Sequence, residues 1–290
     1  MNLRAYSLLG LVALCSLLCA PPQVQAEQTV QALRRDGKTT PLMVYERSSQ
    51  ECLPLALISH GAGGSEKGYV YLAQGLEALG WRVLVMGHAE SGRTSMRTHI
   101  RQSGFQTGLA HLAQDAAALE WRQFDIEAAL RWAQGVCPTS KPARRILVGH
   151  SMGATTVNLE AGARNLVGVK GQDRFDAYIA LSPQGVGSVF PENAWRDIRK
   201  PFLQITGTLD KALEGGPQTR EQAFHNMPKG CHWLVVIDGA GHMSFAGRGT
   251  GSLRDEQLTL GLIRDFLDAS RSLECTAPTT ISPNVRLLTK

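Results

Sequence analysis

Short runs of consecutive aliphatic residues recur along this chain, and between them lie longer stretches whose apolar positions fall three or four apart. The runs at 53–59, 82–86, 145–148, 177–181, 202–206 and 233–237 have the make-up of strands covered on both faces, since a strand with one wet face would alternate polar and apolar positions. Runs at 29–34 and 38–46, split by Arg35-Asp36-Gly37, predict an antiparallel hairpin at a sheet edge. Helical spacing predicts helices at 71–79, ending before Gly80, and at 112–134, 154–165, 221–227 and 254–270. In the helix at 112–134, Trp121, Phe124, Ala128 and Trp132 share one apolar face and read as core; Leu258, Leu262, Ile263, Phe266 and Leu267 do the same in the last helix. The polar, weakly periodic segment 93–110 reads as a region bordering a pocket, and 276–290, with Pro278 and Pro283, as a loop tail. Strands alternating with helices predict an α/β chain with a mainly parallel sheet covered on both faces.

The chemistry is concentrated at the ends of these strands. The run Arg145-Ile146-Leu147-Val148 enters Gly149-His150-Ser151-Met152-Gly153 and then a helical stretch, which is G-x-S-x-G between a strand and a helix. The pattern predicts a sharp turn that holds the Ser151 hydroxyl exposed, with a helix N-terminus aimed at it. An unassisted serine hydroxyl is a poor nucleophile at neutral pH, so a base, an acid to orient it and oxyanion donors are required elsewhere. His242 follows the run at 233–237, Asp210 follows the run at 202–206, and His60-Gly61-Ala62-Gly63-Gly64 follows the run at 53–59. Glu214 and Asp238 are rivals to Asp210 for the acid; His60 reads as shaping its loop and His150 as packing beside the turn.

Residues 1–26 carry Arg4, an apolar stretch from Leu8 to Leu18 and Val24-Gln25-Ala26, which reads as a secretory signal cleaved after Ala26. Cys15 and Cys19 are each preceded by leucine, where a lipoprotein signal has a small residue, so a soluble exported chain is favoured over a lipid-anchored one. Residues 27–275 then form a single domain ahead of the tail. The net charge of +5 is scattered, with no basic and aromatic stripe, so nucleic acid is not an expected partner. Cys52, Cys137, Cys231 and Cys275 lie beyond the signal; in an exported chain they suggest disulfides, and their spacing does not suit a metal.

With these motifs in order, the chain resembles the α/β-hydrolase fold over nearly all of residues 27–290, the order Ser, Asp, His being that of the fold. The resemblance implies a mostly parallel, eight-stranded sheet with helices on both faces. Ser151 would be the nucleophile, His242 the base and Asp210 the acid, and the amides of Ala62 and Met152 would bind the oxyanion. It also implies disulfides Cys52 to Cys137 and Cys231 to Cys275. Only a short connection follows Gln184 before Pro201, so little or no lid domain is expected.

Within the fold, the motifs are most similar to the dienelactone-hydrolase-like group, with polyester (cutinase-like) hydrolases and relatives of platelet-activating-factor acetylhydrolase. His150, Ala62 and Gln184-Gly185 stand where polyester hydrolases carry aromatics, so aryl polyesters are not expected substrates. Ser151 stands where the dienelactone hydrolases proper have cysteine. The expected activity is that of an exported serine carboxylesterase acting on a small-molecule ester through an acyl-enzyme, with no cofactor, no metal and no stable membrane anchor. Amides, thioesters and lactones suit the same triad, and a non-catalytic binding protein on this scaffold is the alternative from another class.

Overall fold

The computed structural model describes residues 26–47, 52–138, 144–213, 215–249 and 252–290. The expected signal segment, Cys15, Cys19 and Glu214 therefore lie outside the described residues, except that Ala26 opens the first strand. The strands are β1 (Ala26–Leu33), β2 (Thr39–Glu46), β3 (Leu55–Ser59), β4 (Arg82–Met86), β5 (Arg145–His150), β6 (Ala177–Leu181), β7 (Phe202–Gly207), β8 (His232–Ile237) and β9 (Val285–Thr289). The helices are α1 (Val70–Ala78), α2 (Arg93–Ser103), α3 (Phe105–Gln114), α4 (Ala116–Val136), α5 (Met152–Glu160), α6 (Gln222–Asn226) and α7 (Ser252–Ala269).

All nine strands form one sheet in the order β1-β2-β4-β3-β5-β6-β7-β8-β9. The strands β4, β3, β5, β6, β7 and β8 run parallel, with β1 and β2 antiparallel at one edge and β9 antiparallel at the other. Every residue of β3, β4 and β6 is buried, as expected of strands covered on both faces. Side chains alternate between two cores: Leu55, Leu57 and Leu147 pack with Leu119 and Ile126 of α4 and Val157 of α5, while Ala56, Ile58 and Ile146 pack with Leu72 and Leu76 of α1 and Ile263 and Phe266 of α7. Parallel strands bring all their carboxyl ends to one edge, and the loops there carry Ser151, Asp210 and His242.

Four details depart from the sequence reading. Among the described residues the sheet has nine strands and not eight, because the supposed loop tail contains β9. That strand covers the outer edge of β8, and Lys290 anchors it by donating to the carbonyls of His225 (2.8 Å) and Met227 (2.6 Å). An antiparallel edge strand with one face on the core needs only a short apolar set, which two prolines upstream disguised. The region 93–110 forms α2 and the start of α3, separated at Gly104, whose φ of +80 breaks the helical path. The helix expected at 112–134 begins instead at Ala116, where Asp115 caps it by accepting from the Ala118 amide at 3.1 Å. The helix expected at 154–165 ends at Glu160, ahead of Gly162 at φ +90.

The face expected on α4 is core only in part: Ala128 is buried and Trp132 packs against the core, but Trp121 and Phe124 do not join it. Its buried side carries Leu119, Arg122, Asp125, Ile126 and Ala129, whereas Trp121 and Phe124 are half-buried under the guanidinium groups of Arg34 (4.7 Å) and Arg35 (3.7 Å). Two charged residues inside a helix face invert an apolar-pattern reading, which assigns charges to water. The connection from Ser182 to Pro201 holds no helix, so no lid domain covers the carboxyl edge there. Among the described residues, no helix is long and apolar enough to cross a membrane.

Cys52 is bonded to Cys137 and Cys231 to Cys275, each pair with Cα atoms 5.5 Å apart, at the sheet end away from the serine turn. The first bond joins residues 85 apart, and closing a loop of that length removes roughly 4 kcal/mol of unfolded-chain entropy. Replacing Cys52 and Cys137 together by alanine is therefore expected to lower the unfolding free energy by about 3–4 kcal/mol, read from the urea midpoint; an unchanged midpoint would show that the bond does not constrain the unfolded chain.

Candidate active site

The turn between β5 and α5 sets the geometry. Ser151 sits at φ +57 and ψ −117, a conformation that side-chain-bearing residues rarely adopt, and its amide continues the sheet by donating to the Leu181 carbonyl at 3.0 Å. The flanking glycines are required by contact: a Cβ on Gly149 would fall 2.1 Å from the Gly153 carbonyl oxygen, and one on Gly153 would fall 1.9 Å from the Ser59 carbonyl oxygen. The turn is thus pressed against the end of β3, where the glycine-rich loop begins.

Three loops then meet. Ser151 Oγ lies 3.0 Å from His242 Nε2, and His242 Nδ1 lies 3.0 Å from Asp210 Oδ1. Asp210 is fully buried while the His242 side chain is about one-third exposed. The other Asp210 oxygen accepts from Thr206 Oγ1 at 2.9 Å. Burial pushes the Asp210 carboxyl upward, but the His242 hydrogen bond and the Arg220 charge outweigh it and hold the group below its ordinary value. Asp210 is therefore an ionised acceptor for the Nδ1–H of the imidazole. Asp238, the sequence-level rival, accepts from Thr208 Oγ1 at 3.0 Å on the surface and takes no part in this chain.

The loop 60–64 follows β3 and runs against the serine, since a Cβ on Gly61 would lie 3.2 Å from Ser151 Cβ. Its amides are committed one by one: Gly61 N–H to Tyr69 Oη (3.0 Å), Gly63 N–H to the Ser91 carbonyl (2.8 Å) and Gly64 N–H to the Gly61 carbonyl (3.1 Å). Among the described residues, nothing accepts from the amides of Ala62 or Met152, the first in this loop and the second at the N-terminus of α5. Two amide donors are thereby left over beside the serine, the number an oxyanion needs.

Sequence reasoning missed Arg220 and the charges behind the loop 60–64. Arg220 is buried; it pairs with Asp210 Oδ1 at 3.1 Å and donates to the carbonyls of Ser182 (2.9 Å), Pro183 (3.2 Å) and Lys211 (2.8 Å), tying the loops after β6 and β7 together. It lies in a short 3-10 helix, Pro217–Glu221, with no motif, so nothing in the sequence marked it. Arg122 of α4 donates to the His60 carbonyl (2.8 Å), Ser59 Oγ (3.1 Å) and Ser91 Oγ (2.9 Å), and burial pushes its guanidinium down to about 9. His60 Nδ1 donates to the Gly61 carbonyl at 2.6 Å and His60 Nε2 accepts from the His88 amide at 3.0 Å, which is the loop-shaping part expected of it.

A second Ser-His-Asp set stands in this network. His88 Nε2 lies 2.9 Å from Ser59 Oγ, and His88 Nδ1 lies 2.7 Å from Asp125 Oδ2. Ser59, His88 and Asp125 are only 0, 2 and 1% exposed, and the Ser59 hydroxyl is already held by Arg122. No substrate can reach it, so the set is scaffold, whereas Ser151 is half-exposed.

No protein-family model and no curated protein sequence matches this chain. Solved structures do, and they define the fold as that of the α/β-hydrolases. A dienelactone hydrolase of Anabaena variabilis is 18% identical with a TM-score of 0.57, covering 82% of this chain and 96% of its own. An esterase of Pyrococcus furiosus is 18% identical with a TM-score of 0.55, covering 84% and 92%. A predicted CIB-like hydrolase of Thermoplasma acidophilum is 17% identical with a TM-score of 0.53, covering 83% and 99%. At such identities the likeness is one of fold.

The buried histidines make stability depend on pH. Burial holds His60 and His88 well below their ordinary value, with the Arg122 charge adding to it, and pushes His150 down to about 3 although Asp210 opposes this. The folded chain keeps these rings neutral where the unfolded chain takes up protons, so their contribution is present above about pH 6.5 and is lost as pH falls below it. Each ring costs about 1 kcal/mol between pH 7 and 5.5, and Asp125, which burial pushes up to about 6, offsets part of one by taking a proton in the folded state. The expected net loss is roughly 2–3 kcal/mol, measured as the urea-unfolding free energy at the two pH values; equal stability would mean that the rings protonate within the fold.

Proposed function

We propose that this protein is a serine hydrolase that cleaves carboxylic esters through an acyl-enzyme, with Ser151, His242 and Asp210 as its triad. The observation that carries this reading is the unbroken hydrogen-bonded path from Ser151 Oγ through His242 to a buried, arginine-paired Asp210. In this reading, His242 Nε2 takes the Ser151 hydroxyl proton as Oγ attacks the ester carbonyl carbon. The carbonyl oxygen, now anionic, accepts from the amides of Ala62 and Met152. Collapse of the tetrahedral species breaks the bond to the alcohol oxygen, which leaves with the proton held by His242. Water then repeats the sequence on the acyl-enzyme, giving up its proton to His242 and releasing the acid and the free serine. Asp210 accepts from Nδ1–H throughout and stabilises the transient imidazolium.

Ester specificity is supported by the surroundings more than by the triad. The site has no helical lid after β6, and Leu209, Leu213 and Met243 are 65, 46 and 46% exposed, next in sequence or close to Asp210 and His242. Such an apolar rim suits the acyl or alkyl part of a small or medium ester. The dienelactone hydrolase and esterase among the fold relatives act on related bonds by their names. Export is part of the proposal: two disulfides suit an oxidising compartment, and the chain begins with the apolar segment read as a signal.

The deciding experiment is hydrolysis of p-nitrophenyl esters from acetyl to decanoyl by the wild-type protein and by Ser151→Ala. Wild-type turnover should fall by about 10⁴-fold or more in Ser151→Ala and by a comparable factor in Asp210→Asn. Absence of turnover on every ester by folded wild-type protein would sink the ester reading and favour amide, thioester or lactone cleavage or a binding role.

A further inference from the structure

Tyr69, the residue before α1, is held at φ +60 and ψ 31, a left-handed conformation that a tyrosine adopts only where its surroundings impose it. Its buried hydroxyl lies 3.0 Å from the Gly61 amide and 2.9 Å from His150 Nδ1, and His150 Nε2 lies 2.9 Å from the His242 carbonyl oxygen. The two ends of this path assign every proton on it. A backbone amide can only donate and a carbonyl can only accept, so His150 must carry its hydrogen on Nε2. Burial keeps the ring neutral, which leaves Nδ1 as a lone pair, and the Tyr69 hydroxyl must donate to it. The path therefore runs one way: Gly61 N–H to Tyr69 Oη, Tyr69 O–H to His150 Nδ1, His150 Nε2–H to His242 C=O.

We infer that Tyr69 and His150 are positioning residues that fix the oxyanion loop to the backbone of His242 across the nucleophile. The inference rests on the serine-hydrolase reading above. Among the described residues, the loop after β3 and the loop after β8 share no backbone hydrogen bond, so their separation is set by what lies between them. That is the Tyr69 and His150 pair. His150 directly precedes Ser151, its ring centroid is 4.8 Å from that of His242, and Gly61 is packed so closely that a Cβ there would meet His150 Nδ1 at 3.3 Å. A second strut, Tyr71 Oη to the Phe245 carbonyl at 3.0 Å, holds the His242 loop to α1 but touches neither His150 nor the oxyanion loop. The Ala62 donor and the His242 base must both be in place when charge develops on the substrate oxygen, while ground-state binding needs neither so closely. Loosening the bridge should thus slow the chemical step and leave substrate binding almost unchanged.

The test compares Tyr69→Phe, His150→Leu, His150→Gln and the Tyr69→Phe/His150→Leu pair, using p-nitrophenyl butyrate, with melting curves to confirm folding. Tyr69→Phe and His150→Leu should each lower kcat by about 10- to 100-fold with KM within about 3-fold of wild type, less than the loss of an oxyanion donor itself. His150→Gln should stay within about 5-fold, because its amide oxygen can accept from Tyr69 while its NH₂ donates to the His242 carbonyl. The double variant should be no more than about 3-fold worse than the poorer single one, since both break the same path. Wild-type kcat in Tyr69→Phe, a loss carried by KM, or multiplying losses in the pair would overturn the inference while leaving the hydrolase reading intact. Nitrogen-15 spectra of the histidine rings supply a readout independent of turnover: His150 should remain the Nε2–H tautomer from pH 5 to 8, and a titrating ring or an Nδ1–H tautomer would overturn the bridge. Wild-type protein with that tautomer but no turnover on any ester would sink the ester reading, and the positioning role in ester cleavage with it.

Discussion

The contact between the Gly149–Gly153 turn and the end of β3 is the constraint on which the site depends. The turn is so tight that a Cβ on Gly149 would strike the Gly153 carbonyl, and so close to β3 that one on Gly153 would strike the Ser59 carbonyl; Ser151, between them, is left in a strained conformation with its hydroxyl projecting from the turn. The approach is possible because β3 and β5 are parallel neighbours, in register from Leu55 opposite Arg145 to Ser59 opposite Gly149. Their carboxyl ends therefore arrive together, and the loop 60–64 emerges directly against the serine. The projecting Ser151 hydroxyl and the leftover amide of Ala62 are two consequences of one strand pairing.

Holding loops in this arrangement requires polar groups inside the protein, and each buried charge has a specific task. Arg220 satisfies carbonyls from the loops after β6 and β7 while its charge keeps Asp210 ionised. Arg122 does the same for the backbone at the end of β3, with Asp125 nearby as a compensating charge that also accepts from Arg34 at 3.1 Å. A carbonyl buried without a donor costs more than a hydrogen bond returns, so a guanidinium, with five N–H groups in a fixed fork, is an efficient means of satisfying several at once. The same burial accounts for the neutral histidines His60, His88 and His150. In them, low local dielectric prevents protonation and so keeps each ring with one donor and one acceptor, the form that can relay a hydrogen-bond direction.

Two similar serine, histidine and aspartate sets show how much environment decides. Ser59, His88 and Asp125 have distances as short as those of Ser151, His242 and Asp210, yet they are sealed between α4 and the sheet. Residue types and distances define what can exchange a proton. Exposure to solvent and neighbouring amides without acceptors distinguish the Ser151 set from the buried one.

Much of this was legible in the chain itself. Fully apolar runs identify the parallel strands, because a strand covered on both faces has no position where water would favour a polar side chain, and G-x-S-x-G after such a run identifies Ser151. Asp210 and His242 were marked by following the next strands in the chain, and the four cysteines by their even number. The resemblance supplied the cysteine pairing that the structure then contained. Tertiary structure alone decided the rest. The buried charges Arg122 and Asp125 on α4, the partnership of Arg220 with Asp210, and the path from Tyr69 through His150 to His242 all depend on charged or polar side chains satisfied by partners distant in sequence. The last strand, β9, escaped notice because its edge position needs little apolar pattern. Local periodicity reports how a segment meets water, and it is silent wherever a polar group is buried and its partner is brought by the fold.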